Sequence, residues 1–229
     1  MRKSGESGEK VVRRGLSELS VAGNILRRAS ISLVFVFSLF ALNTQAQSSR
    51  PKSHDSEQLG KAIDYFNSGK YHEALLIFED LDARYSLNSR FRAYMGLCYY
   101  YEWDYEKACE YLNGVMADLD VYSPHERSIY YFTAAESHFN IGRYAEAIPL
   151  YERQINVCYD NEKADAFYRI GFCRMFLRDW LNARDAFVSA LAYYERFLNN
   201  ETTASRMAQL RNMIKGIDAK MNGKTEQTD

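Results

Sequence analysis

The chain has 229 residues, 47% of them hydrophobic and 14% aromatic, with 29 basic and 30 acidic side chains. Residues 1–46 hold seven of the basic and three of the acidic residues, so the remainder carries 22 against 27, a formal charge of about −5. That balance argues against nucleic acid or an anionic membrane surface as the main partner, since both are bound through basic surface.

Ile31 to Leu42 is the only strongly apolar run, broken only by serines and preceded by Arg27 and Arg28. Its twelve residues fall short of the roughly 20 needed to cross a bilayer. Thr44-Gln45-Ala46 follows, with small residues where a signal peptidase reads. Residues 1–46 are therefore predicted to be a cleaved secretory signal and 47–55 a linker, with no integral span after cleavage. A retained N-terminal anchor is the rival reading.

From Tyr71 onward one pattern recurs: an aromatic, an alanine three residues later and a large apolar residue four further on. It reads Tyr71, Ala74, Phe78; Tyr105, Ala108, Leu112; Tyr144, Ala147, Tyr151; and Trp180, Ala183, Phe187. The aromatics are 34, 39 and 36 residues apart, a period that signals stacked supersecondary units. Ahead of each lies a second helical stretch with its own small residue: Ala62, Gly96, Ala135 and Gly171. The three- and four-residue apolar steps are helical. Glycine inside a helix costs about 1 kcal/mol against alanine, so Gly96 and Gly171 are expected to allow close approach to Ala108 and Ala183. Gly69 and Gly142 are helix stops between the paired helices. Ser123-Pro124 opens the third unit as N-cap and first helical residue.

The units are placed at about 56–88, 89–122, 124–161 and 162–197, within a repeat region 56–200. Met207, Leu210, Ile214, Ile217 and Met221 mark one face of a further helix, 201–221, begun by Thr202 or Thr203. It is expected to cover the last apolar face of the stack. Residues 222–229 are expected to be a disordered tail.

The small residues of the first helices, the Gly-x-Tyr turns and the Ala-x-x-x-aromatic of the second helices resemble the tetratricopeptide repeat. The resemblance implies an all-α, right-handed superhelical solenoid of about four helix hairpins plus a C-terminal capping helix. It also implies a concave groove lined by the first helices, where a protein or peptide partner binds. On that face the partner-binding candidates are Phe66, Tyr100, Tyr101, Phe132, Phe139, Tyr168, Phe172 and Phe176, about half of which are expected to pack between repeats. Arg90, Arg92, Arg169 and Arg174 lie on the same helices and could orient a carboxylate or simply be solvated. The Gln45-Ala46-Gln47 ending resembles export signals of Bacteroidota, which implies a Gram-negative periplasm.

Chemistry-bearing motifs are missing. The chain has no HExxH, no phosphate-binding glycine loop and no Gly-x-Ser-x-Gly, so no catalysis, metal or cofactor is expected. His138 falls at a core position. Cys98 and Cys109 flank the second turn in a way that would suit a disulfide; buried thiols acting as small apolar residues are the favoured reading. The expected function is a non-catalytic envelope adaptor for a protein or peptide. A glycan- or peptidoglycan-fragment-binding protein and a self-associating homo-oligomeric scaffold are the alternatives.

Overall fold

The computed structural model describes residues 53–198 and 200–225. The signal assigned to 1–46, the linker up to residue 52 and the last four residues of the tail lie outside them. Among the described residues are nine α-helices and one 3₁₀ turn, with no strand. The chain divides into two compact units between Ser86 and Leu87.

In the first unit, α1 (His54–Asn67) and α2 (Tyr71–Tyr85) form one hairpin. Ser53 caps α1 by accepting the Ser56 amide, so the helix begins inside the stretch assigned to the linker. Ala62 and Phe66 are buried on α1, and Ala74, Leu75, Phe78 and Leu81 on α2. Arg84 donates to Asp55 at 2.7 Å and to Asp80 at 2.6 Å, and the Tyr85 hydroxyl donates to Asp55 at 2.5 Å. These bonds tie the start of α1 to the end of α2.

The second unit holds three more hairpins. They pair α3 (Ser89–Tyr101) with α4 (Tyr105–Val115), α5 (Pro124–Asn140) with α6 (Tyr144–Val157), and α7 (Lys163–Phe176) with α8 (Trp180–Phe197). A 3₁₀ turn, Met116–Val121, follows α4. Ser123 caps α5 with Pro124 in its first turn, as the sequence predicts. Eleven consecutive residues of α5, Ser128 to His138, are buried. A helix covered all round must be packed on several sides, and α5 meets α3, α4, α6.

All four hairpins turn in the same way, with or without glycine. Gly69, Trp103, Gly142 and Arg178 all take positive φ, between 61° and 79°. The next amide (Lys70, Asp104, Arg143, Asp179) reaches back five residues to a carbonyl at 2.9 Å, closing the first helix with a Schellman motif. The two turns without glycine have a compensating feature. Asp104 and Asp179 cap the following helix by accepting the Lys107 and Asn182 amides, whereas Lys70 and Arg143 make no side-chain cap.

The glycines inside helices have a different partner from the one expected. A Cβ on Gly96 would stand 2.6 Å from Leu112, and one on Gly171 would stand 2.4 Å from the Phe187 ring. The close approach is thus to the large residue one turn beyond Ala108 and Ala183, not to those alanines.

The last helix, α9 (Glu201–Thr225), packs on α8. Asn200 starts it by accepting the Thr202 and Thr203 amides at 3.0 and 3.2 Å. The cap is therefore neither Thr202 nor Thr203; the Thr203 hydroxyl is turned back to the Leu198 carbonyl. The helix runs past residue 221 to Thr225, into the stretch assigned to the tail. Met207, Leu210 and Ile217 are buried with Phe187, Ala190 and Tyr194 of α8. Each such side chain contributes about 1.5–3 kcal/mol on burial, which makes α9 the cap of the stack.

Candidate partner-binding face

The first helices of the second unit, α3, α5 and α7, carry most of the aromatic candidates. On α7 the sequence Tyr168-x-x-x-Phe172-x-x-x-Phe176 places one ring per turn along a single stripe. Tyr168 meets Phe172 edge-on with centroids 4.8 Å apart, and Phe172 lies 6.2 Å from Phe176. Phe176 stacks on Tyr144 at 4.6 Å and lies 6.1 Å from Phe139. Phe139 in turn meets Tyr144 edge-on at 5.4 Å. These rings form one continuous run. Tyr144 was not among the sequence candidates, because the repeat pattern assigns that aromatic to the turn.

Exposure separates the candidates. Phe176 is 49% exposed, while Tyr168, Phe172 and Phe139 are half-buried. Phe172 also packs edge-on against the core ring of Phe187 at 5.4 Å. Tyr100 and Tyr101 form a half-buried pair at 5.3 Å, and Tyr100 also faces Tyr105 at 5.7 Å. Phe132 is buried against Tyr151, and Phe66 is buried beside Tyr71 in the first unit. These last two rings serve packing and offer no surface.

Three of the four arginines read from the sequence are paired with acids of neighbouring elements. Arg90 on α3 pairs with Glu126 on α5 at 3.0 Å. Arg169 on α7 donates to Glu136 on α5 at 2.7 Å and lies 4.6 Å over the Phe139 ring. Arg174 pairs with Asp179 at 3.1 Å. Arg206 on α9, which the sequence reading passed over, donates to Asp165 on α7 at 2.6 Å and to the Tyr194 hydroxyl at 2.9 Å. No local pattern marks these pairs, because the two members belong to different helices.

Glu136 is 1% exposed. One carboxylate oxygen accepts from the Tyr151 hydroxyl at 2.5 Å and the other from Arg169. Burial and the Glu136 charge push the Tyr151 phenol well above its ordinary range. Burial works against the Arg169 charge, but Glu136 and the surrounding tyrosines outweigh it and hold that pKa above the ordinary value. An acid on a first helix, a tyrosine on a second and an arginine from the next helix recur as Asp165, Tyr194 and Arg206.

The four cysteines are free. Burial raises the Cys109 thiol to about 11 and those of Cys158 and Cys173 to about 12. They stay protonated near neutral pH and are poor nucleophiles. No helix among the described residues is long and apolar enough to cross a membrane, and none of these residues form a cluster of three or more metal-ligating side chains.

Solved structures share this arrangement. A mutant of MamA is similar over 75% of this chain and 85% of its own, at 17% identity and a TM-score of 0.59. MamA of AMB-1 is similar over 72% and 92%, at 16% identity and 0.53. The apo form of RapI matches 74% of this chain at 15% identity and 0.56, and the match spans about half of RapI, 49%. The fold is that of the tetratricopeptide repeat. No family model matches the chain, and no curated protein is similar to it in sequence. At these identities the likeness concerns the tetratricopeptide fold alone.

Proposed function

We propose that this chain is a non-catalytic adaptor that holds an apolar segment of a protein partner against the aromatic run on α5, α6 and α7. The observation that carries the reading is the exposed end of that run. Phe176 keeps half its surface open while stacked on Tyr144, and Leu177, the next residue in the chain, is 45% exposed. Rings immobilised by neighbouring rings lose little entropy on binding and serve as anchors. Arg169 and Arg174 on α7 are already paired with Glu136 and Asp179, which favours apolar over acidic side chains along this helix. Tyr100, Tyr101, Phe139, Tyr168 and Phe172 would form its half-buried floor, with Phe132 in supporting packing.

The apolar run at Ile31–Leu42, followed by Thr44-Gln45-Ala46, supports export, and the partner would then be a protein of the cell envelope, in a Gram-negative periplasm. The test is in-cell crosslinking and affinity capture of the wild type beside a Tyr144→Ala/Phe176→Ala variant. A partner captured by the wild type and lost from a variant of unchanged helicity supports the adaptor reading. Equal capture by both counts against this face, and capture of the chain's own copies alone identifies a self-assembling scaffold.

A further inference from the structure

A second site lies away from the aromatic run. The 3₁₀ turn after α4, the middle of α5 and the end of α6 border an open surface depression of about 360 Å³, lined by Met116, Ala117, Asp120, Tyr131, Arg153, Asn156 and Val157. None of these residues belongs to the partner-binding candidates. Three walls are apolar (Met116, Ala117 and Val157), and the Tyr131 ring forms a fourth.

The charges in this depression are unevenly matched. Asp120 is already engaged, accepting from Arg127 at 2.9 Å. Arg153 holds its guanidinium 5.9 Å from the Tyr131 centroid and has no acidic partner among the described residues. It differs in this from Arg90, Arg169, Arg174 and Arg206, each paired at 2.6–3.1 Å. An arginine fork without a partner, beside the Asn156 amide, suits a planar carboxylate taken through two parallel hydrogen bonds. The apolar walls favour an organic anion over an inorganic one.

We propose that this depression binds a monocarboxylate bearing a short apolar group, with Arg153 and Asn156 on the carboxylate and Met116, Ala117, Val157 and Tyr131 around the apolar part. A free small carboxylate and the C-terminal residue of a peptide share this chemistry.

Calorimetric titration of the full chain with N-acetyl-L-leucine, N-acetyl-L-leucine amide and the tripeptide Gly-Gly-Leu tests the assignment. Saturable binding of the acid, at least tenfold weaker binding of the amide and at least tenfold weaker binding of the acid by Arg153→Gln are expected. Arg153 is exposed, so that variant should keep the wild-type helical signal and melting temperature; Arg153→Lys, which keeps charge but not the fork, should fall between the two. Comparable binding of Gly-Gly-Leu identifies a peptide terminus as the ligand, and binding of N-acetyl-L-leucine alone a free small carboxylate. No saturable binding of either acid, equal binding of acid and amide, or unchanged binding by Arg153→Gln would overturn the proposal. The Tyr144→Ala/Phe176→Ala variant should bind as the wild type does, which keeps this result independent of the aromatic face.

Discussion

Arg169 on α7 donates to Glu136 on α5 at 2.7 Å, a bond between the first helices of two successive hairpins. Glu136 is buried and Arg169 nearly so, with side chains 2% and 16% exposed. Breaking such a pair from one side leaves a buried charge without its partner, which costs about 3–5 kcal/mol. Glu136→Gln should therefore lower stability by about 3 kcal/mol in urea unfolding. Glu136→Met with Arg169→Met and Tyr151→Phe should recover much of the loss, because neither a charge nor the Tyr151 hydroxyl, which donates to Glu136, is then stranded. A triple variant as unstable as the single one would show that the pair itself supplies the stability.

The glycine in α7 is required by its neighbour. Gly171→Ala should be destabilising by about 1–3 kcal/mol, because the added methyl would meet the Phe187 ring at 2.4 Å and that ring is fully buried. Gly216→Ala in α9 meets nothing within 4 Å and should stabilise by up to about 1 kcal/mol through helix propensity. Thermal unfolding of the two variants should move in opposite directions.

Trp103 and Arg178 hold positive φ without being glycine. A side chain in that conformation costs about 1–2 kcal/mol. Arg178→Gly should raise stability by about 1 kcal/mol, measured by the denaturation midpoint. Asp179→Ala should lower it by about 1 kcal/mol, since it removes the cap that accompanies the turn.

His138 is buried, with Nε2 lying 3.1 Å from the Asn113 amide nitrogen. Burial lowers its pKa below the usual histidine range. As pH falls, the unfolded chain takes a proton at this site before the folded one does. The contribution is therefore complete above about 6.5 and is lost on acidification toward the lower folded value. Stability measured from pH 7 to 5 should decline less steeply in His138→Gln than in the wild type.

The repeat itself was legible because helical period and turn residues are local. The turns at Trp103 and Arg178 were not, since their geometry comes from the Schellman bonds and aspartate caps rather than from a glycine. The small-on-small reading of Gly96 and Gly171 missed by one turn: Leu112 and Phe187 reach across to the glycines, and only side-chain direction decides that. On the candidate face, the α7 stripe follows from four-residue spacing. The burial of Phe132 and the engagement of Arg90 and Arg169 depend on acids and rings from other helices, for which no sequence neighbour gives a sign.

The adaptor account rests on Phe176 lying at the partner-facing surface. A photo-crosslinking residue placed at position 176, and in a separate variant at the position of Val188, which is 42% exposed on α8, tests this in cells. The account predicts a discrete crosslinked partner from position 176 and none from position 188. A partner crosslinked from position 188 and absent from position 176 would contradict it.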